Sequence, residues 1–107
     1  MLSFGKKGER RAIKFLKKQK LKILKTNFHS RFGEIDIIAK DKTTLHFIEV
    51  KASKDYDPIE RITPQKYQKI LKTIDYYMYQ NPNDLNFQID AILVKDKQIE
   101  WLENISF

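Results

Sequence analysis

The sequence contains no cysteine, no long apolar run and a single acidic residue among its first 31 residues. Without cysteine, the chain has no disulfide framework, no zinc–thiolate site and no thiol nucleophile. No stretch approaches the roughly 20 apolar residues that a membrane-spanning helix needs, and the amino-terminal segment is too charged for a secretory signal. These absences predict a cytoplasmic protein without a membrane partner. The length of 107 residues fits a single domain over residues 1–107.

Positive charge is concentrated in the amino-terminal third. Residues 1–31 hold eleven Lys or Arg against Glu9 alone, which gives this segment a net charge of +10, whereas the remainder carries −3. A surface this basic suits a polyanion such as nucleic acid. A solvated, lysine-rich surface is the plain alternative, and charge alone does not separate the two.

The spacing of apolar residues predicts seven elements in the order α-β-β-β-α-β-β. The first helix, capped by Ser3, runs to about Gln19. The second helix begins with Thr63 as its cap and Pro64 at its first position, and runs to about Gln80. The strands are predicted at Leu21–Phe28, Glu34–Ala39, Leu45–Ala52, Phe87–Val94 and Gln98–Leu102.

The predicted fold is an α/β domain in which a mixed sheet is flanked by helices. Near-continuous apolar strands predict that both faces of the sheet are covered. The second helix is long enough for a crossover, so the strands before and after it are parallel. Strict alternation along the second strand puts Ile35 and Ile37 on one face and Asp36 on the other. Residues 53–62, which include Pro58, are predicted to be irregular.

The hairpin formed by the second and third strands places acidic residues inside apolar runs. A register that pairs Lys40 with Leu45 puts Asp36 directly opposite Glu49. Like charges in that position are destabilising, and a bound cation is the obvious compensation. The prediction depends on the register, because a slip by one residue would move one carboxylate to the other face.

The ionisable groups of this hairpin are those of a metal-dependent nuclease. Carboxylates are hard oxygen ligands for Mg²⁺ or Mn²⁺, and the candidate ligands on the hairpin are Asp36 and Glu49. Glu9, the acid on the inward stripe of the first helix, is either a further functional group or a partner for a Lys or Arg on the same helix. Lys51 projects on the same face as Glu49, where it orients or deprotonates a water, or neutralises charge on phosphorus. Glu34 falls opposite Lys51. A plain cross-strand pair between an acid and a lysine is the structural alternative.

At these residues the sequence resembles the YraN family of small bacterial proteins. The matching pieces are Gly8-Glu9, Asn27, Arg31-Phe32, GEIDIIAKD at 33–41, LHFIEVK at 45–51, Thr63-Pro64 with Lys66, and Asp90. The family is placed in the PD-(D/E)xK, or restriction-endonuclease-like, superfamily, near archaeal Holliday-junction resolvases. The resemblance implies a restriction-endonuclease-like fold, DNA cleavage with branched DNA as the natural substrate, and a homodimer.

The same resemblance implies residue roles. Asp36, Glu49 and Lys51 match the metal-binding and catalytic positions of the superfamily. Glu9 matches a first-helix acid that completes the site, and Lys66 matches a basic position on the second helix.

Three positions depart from the family's pattern. Ile35 stands where the superfamily has proline, Gln88 stands where the family often has arginine, and the segment after Lys51 lacks a common Phe-Gly pair. The difference in the segment after Lys51 bears on the choice of substrate more than on the metal site.

Basic residues near the motif are the predicted contacts to nucleic acid. They are Lys6, Lys7, Arg10, Arg11, Arg31 and Lys66. Phe32, beside Arg31, is a candidate for touching the backbone or a base. Glu34 and Gln65 are predicted to support the site.

The other polar and aromatic residues receive mainly structural assignments. Asp90 is assigned to a buried position, and His29 and His46 lie on different elements without a matching partner, so no zinc site is predicted. The three tyrosines of the second helix are candidates for stacking on bases, but they fall on several faces, so some of them are assigned to packing in the core or between subunits. The three are Tyr76, Tyr77 and Tyr79.

Three functions stay open on the sequence. The first is a Mg²⁺- or Mn²⁺-dependent DNA endonuclease. The second is a nucleic-acid-binding module that keeps the fold and the site but does not cut, or cuts only with a partner, since 107 residues leave little room for a recognition domain. The third is a scaffold, which gives no reason for four ionisable groups to converge on one part of the sheet.

Overall fold

The computed structural model describes residues 4–53 and 63–105, so the predicted cap Ser3 and most of the predicted irregular segment lie outside the described residues. The described chain forms seven elements in the predicted order. They are α1 Phe4–Lys18, β1 Lys22–His29, β2 Glu34–Lys40, β3 Thr44–Ser53, α2 Pro64–Gln80, β4 Asn86–Lys95 and β5 Gln98–Leu102. Each observed strand end lies within one residue of its prediction. The predicted α/β arrangement is confirmed.

The five strands lie side by side in chain order. Pairing is antiparallel between β1 and β2, between β2 and β3, and between β4 and β5. It is parallel between β3 and β4, the strands that α2 connects, as the length of that helix predicts. The β1–β2 register shifts between Ile23 and Lys25, so the edge strand β1 carries a bulge.

The two helices cover opposite faces of the sheet. On one face, Ala12 and Leu16 of α1 are fully buried in a cluster that includes Ile48. On the other face, Ile70 and Ile74 of α2 are buried in a cluster with residues of β2, β3 and β4. The predicted apolar stripes of both helices therefore form the core. None of the helices within residues 4–53 and 63–105 is both long enough and apolar enough to cross a membrane.

The start of α2 follows its predicted capping. The Thr63 side chain accepts a hydrogen bond from the Lys66 amide at 3.2 Å, and Pro64 occupies the first helical position. The helix ends where the Asn81 amide donates to the Tyr77 carbonyl. The cap fixes the residue at which α2 begins, and it therefore fixes the positions of Lys66 and of the next helical turns beside the sheet.

The predicted alternation of β2 is wrong at Asp36. Ile35 packs on the α2 face, whereas Ile37 packs on the α1 face. The backbone of the neighbouring strand is irregular at the same level, because Asn27 of β1 has a φ of 52°, a conformation that asparagine tolerates better than most residues. Both isoleucines are buried, and the Asp36 carboxylate reaches the Val50 amide of β3.

α1 packs closely against the sheet at Gly8. A Cβ atom at this position would lie 3.0 Å from the Cβ of Ala52 and 3.9 Å from a methyl of Val50. The same atom at Gly5, one turn earlier, would meet nothing within 4 Å. Because Gly8 has no side chain, α1 can lie this close to β3. Gly8 therefore sets the distance between the helix and the strand.

We expect Gly8→Ala and Gly5→Ala to have different effects on stability. Both substitutions gain up to about 1 kcal/mol of helix propensity, but only Gly8→Ala crowds the sheet, at a cost of about 1–3 kcal/mol. Urea denaturation should therefore give Gly8→Ala a free energy of unfolding about 1–3 kcal/mol below that of Gly5→Ala. Equal values for the two variants would contradict the close approach.

Candidate metal centre

The candidate site lies where the ladder between β2 and β3 ends. Pairing follows the predicted register from Lys40–Leu45 to Ile37–Ile48. At the next position the Asp36 Oδ2 accepts a hydrogen bond from the Val50 amide at 2.8 Å. A side chain thus joins the two strands at this level. We call this region, Glu34–Asp36 with Glu49–Lys51, the fork.

A cavity of about 330 Å³ opens at the fork and gathers the predicted catalytic residues from three elements. Asp36 comes from β2, Glu49 and Lys51 from β3, and Glu9 from α1. Its other lining residues are Gly5, Glu34, Val50 and Ala52. The three carboxylates predicted to bind metal and the predicted catalytic lysine therefore share one cavity.

The carboxyl groups of Asp36 and Glu49 both have raised pKa values. Burial, followed by the charge of Asp36, raises the pKa of Glu49 to about 8. Burial also raises the pKa of Asp36; the Val50 amide acts in the opposite direction, and the charge of Glu9 adds to the rise. With a pKa of about 8, Glu49 keeps its proton at neutral pH in the absence of a cation.

One oxygen of Glu49 has no partner. Its Oε1 is buried and makes no hydrogen bond within the described part of the chain. A buried polar atom left in this state costs about 1–3 kcal/mol. A divalent cation satisfies such an atom and also offsets the charge of Asp36 beside it. The donors are hard carboxylate oxygens, the ligand type that suits Mg²⁺ and Mn²⁺, so the residues present fit the predicted metal.

A second cavity of about 260 Å³ adjoins the fork on the α2 face. It is lined by Gly33, Glu34, Glu49, Lys51, Lys66, Lys69 and Ile70. Lys66 is therefore brought to the fork as predicted, whereas Gln65 is exposed and lines neither cavity within the described chain. Lys69 was missed by the sequence analysis, although its position three residues after Lys66 places it on the same side of the helix.

Glu34, the other predicted supporting residue, has two sets of neighbours. Its carboxylate lies 3.1 Å from the Nδ1 of His29, across the β1–β2 ladder, and both side chains are exposed. It also lines both cavities with Lys51. The predicted proximity of Glu34 and Lys51 is thus present, together with a contact to His29 that the sequence analysis did not foresee.

The basic residues predicted to contact nucleic acid differ in their exposure and in their contacts within the protein. Lys7 and Arg10 are exposed. The Lys6 Nζ lies 4.0 Å from the Glu9 carboxylate, so the predicted metal ligand also has a helical neighbour of opposite charge. Arg11 donates to the Asp96 carbonyl, which ties it to the turn between β4 and β5. Arg31 is exposed in the loop before β2.

His46 has partners that the sequence analysis did not find. Its Nδ1 lies 2.7 Å from the Asp90 Oδ2, and its Nε2 lies 3.0 Å from the Asp41 Oδ2. Burial lowers the pKa of His46, but the two carboxylates outweigh it and the net shift is upward. The same contact lowers the pKa of Asp41 to about 2. His46 therefore joins two strands and a turn through charge-assisted hydrogen bonds.

The oxygens of Asp90 are fully used in this network. His46 Nδ1 and the Trp101 indole N–H, at 3.0 Å, reach Oδ2, while the Gln88 amide and the Asn104 backbone N–H, each at 2.9 Å, reach Oδ1. Ligand atoms of His46, Asp90 and Glu103 lie within 4.8 Å of one another. A cation there would have to displace N–H donors, so the cluster is structural, in keeping with the assignment of Asp90.

The raised pKa of Glu49 predicts a stability that falls with pH in the metal-free protein. Between about pH 4.5 and 8 the folded protein holds a proton on Glu49 that the unfolded chain has released, so stability declines by up to about 1.4 kcal/mol per pH unit. Glu49→Gln should remove this part of the slope in urea denaturation with a chelator present. Glu100→Gln, at an exposed position on β5, is the matched control and should keep it. If the free energy of unfolding fell with pH at the same slope in the wild type and in Glu49→Gln, the raised pKa of Glu49 would be contradicted.

The comparisons with known proteins identify relatives along nearly the whole chain. Residues 8–94 match the model of the uncharacterised protein family UPF0102. A UPF0102 protein of Campylobacter fetus is 52% identical over 105 residues, covering 97% of this chain and 94% of the relative. One from Campylobacter jejuni is 56% identical over 101 residues, covering 94% and 90%, and one from a Nitratiruptor species is 49% identical over 102 residues, covering 95% and 91%. The chain therefore belongs to the UPF0102 family.

Proposed function

We propose that this protein is a DNA endonuclease of the restriction-endonuclease-like superfamily that depends on Mg²⁺ or Mn²⁺. The observation that carries the proposal is the unpartnered, buried Oε1 of Glu49 beside the Asp36 carboxylate. Two carboxylates kept together out of water destabilise the fold unless a cation neutralises them. The family resemblance of the sequence points to the same chemistry.

The residues of the fork have distinct roles in phosphodiester hydrolysis. Glu49, Asp36 and Glu9 hold the cation, which when bound polarises the phosphate and an attacking water. The Val50 amide fixes the orientation of Asp36 by its 2.8 Å hydrogen bond. The ammonium of Lys51 lines the cavity beside Glu49, where its charge offsets the negative charge that develops on the phosphate oxygens.

The water's oxygen forms the new bond to phosphorus while the bond to the leaving oxygen breaks. The water loses one proton in this step, and the leaving oxygen gains one from solvent. The 330 Å³ cavity joins the acidic groups to Lys51, so an anionic phosphate is met by positive charge there.

Basic residues on both sides of the fork supply contacts to the DNA backbone. Lys7 and Arg10 are exposed on α1, and Lys66 and Lys69 line the cavity on the α2 side. Neutralising phosphates releases counterions, so binding weakens steeply with salt. Branched DNA as substrate and a homodimer follow from the resemblance to junction resolvases, since two symmetric nicks need two sites.

A second candidate is a binding module that holds metal and DNA at the same fork without cutting. One observation favours it: the described residues form one sheet and two helices, with no further element for recognition of a substrate. Such a module needs another protein to act on the bound DNA. Metal binding is common to both candidates, and cleavage separates them.

The test measures metal binding and cleavage together. Calorimetric titration with Mn²⁺ should show a specific site in the wild type that Glu49→Gln and Asp36→Asn weaken strongly. With labelled four-way junction, flap and linear DNA, we expect metal-dependent cleavage that falls by at least about 100-fold in Asp36→Asn and Lys51→Ala. Asp75→Asn makes the same chemical change at an exposed position of α2 and should retain wild-type activity.

The outcomes separate the candidates. Cleavage that survives both Asp36→Asn and Glu49→Gln would rule out the fork as the site. Specific metal binding with salt-sensitive DNA binding and no cleavage would favour the binding module. No specific metal binding would contradict both.

A further inference from the structure

The loop between β1 and β2 is held rigidly against α2. The Ser30 hydroxyl lies 2.9 Å from the Thr73 hydroxyl, and Thr73 is fully buried. The Ser30 amide donates to the Gly33 carbonyl at 2.8 Å, and the Phe32 amide donates to the Ser30 hydroxyl at 3.0 Å. These bonds hold the backbone on both sides of Phe32 and so limit the region that its ring can occupy.

This fixed loop presents flat side chains to solvent. The Phe32 side chain is 37% exposed and Tyr76, on the facing helix, is 40% exposed. The Arg31 guanidinium lies 4.9 Å from the centre of the Phe32 ring. The three residues, with Ser30, line a cavity of about 370 Å³. We call Arg31, Phe32 and Tyr76 the platform. Aromatic rings and guanidinium planes are the groups on which unpaired bases stack.

The platform adjoins the fork. Gly33, the residue after Phe32, lines the 260 Å³ cavity together with Glu49 and Lys51. Consecutive Cα atoms are about 3.8 Å apart, so the platform begins one residue from the wall of the candidate site. A nucleotide whose base lies on the platform is therefore a near neighbour of the phosphate that enters the fork.

Three lysines of α2 lie along the path from the platform to the fork. Lys66, Lys69 and Lys72 follow one another at intervals of three residues on α2, and all three are exposed. Lys66 and Lys69 line the cavity at the fork, and the Lys72 Nζ lies 5.7 Å from the centre of the Phe32 ring. A helix rises 1.5 Å per residue, so the positive charges extend about 9 Å along it. Their sign complements a phosphate backbone.

We propose that the platform binds an unpaired base of DNA whose phosphates follow Lys72, Lys69 and Lys66 into the fork. Bases inside a duplex are stacked on each other and cannot reach a ring on the protein surface, so the substrate carries a single-stranded segment next to the phosphate that is cut. The position of the cut rests on the proposed nuclease function, whereas binding of the unpaired base does not.

The test uses the full chain with EDTA, so that binding is measured without cleavage. The three probes are a fluorescent duplex with a short single-stranded tail, the same duplex with an abasic tail that keeps sugar and phosphate but has no bases, and the blunt duplex. We expect the natural tail to bind at least tenfold more tightly than the abasic tail, because stacking on aromatic side chains adds this much per base. The blunt duplex should bind no better than the abasic tail.

Variants assign the preference to the platform. Phe32→Leu removes the aromatic ring and should bring the ratio of the affinities for the natural and the abasic tail close to one. Arg31→Lys should do the same, because it keeps the positive charge but removes the planar guanidinium group. Lys69→Gln should weaken both tailed probes to a similar extent and reduce the dependence on salt. Phe87→Leu changes another exposed aromatic residue, 49% exposed and outside both cavities at the fork, and should leave the ratio unchanged.

The failures are distinguishable. Equal binding of natural and abasic tails, or a preference that persists in Phe32→Leu and Arg31→Lys, would overturn the platform and leave the proposed nuclease to be judged by metal binding and cleavage. Tighter binding of the blunt duplex than of the natural tail would also overturn the platform. No binding to any of the probes would overturn the platform, whereas the proposed nuclease is overturned only by absence of metal binding or by cleavage that survives Asp36→Asn and Glu49→Gln.

Discussion

The repulsion between Asp36 and Glu49 is the constraint on which the site depends. A hairpin built only for stability would not bring two carboxylates together in a half-buried position. The Val50 amide holds Asp36 in place and offsets part of the cost, but one oxygen of Glu49 stays without a partner. The fold tolerates this local destabilisation because the rest of both strands is buried between two helices.

The two faces of the sheet contribute different groups to the fork. From one face, α1 delivers Glu9, and the absence of a side chain at Gly8 lets the helix approach β3 closely enough to do so. From the other face, α2 delivers Lys66 and Lys69, in positions set by the Thr63 cap. Acidic groups are thus concentrated at the end of the β2–β3 ladder, while positive charge surrounds it.

Most of the fold and the members of the candidate site could be predicted from local sequence patterns. Apolar spacing, the Thr63-Pro64 start and the Lys40–Leu45 register depend on near neighbours in the chain, and these predictions are confirmed. Features that depend on distant segments could not be predicted in this way. Ile35 and Ile37 pack on opposite faces against different helices, and the partners of His46 come from a turn and from a strand 44 residues further along the chain.

The irregular backbone of β1 has a further consequence for assembly. β1 is an edge strand, and a regular edge exposes amide and carbonyl groups that can add a strand from another molecule. The bulge between Ile23 and Lys25 and the left-handed Asn27 interrupt that row of groups twice within eight residues. Continuation of the sheet from one copy to the next is therefore disfavoured along this edge.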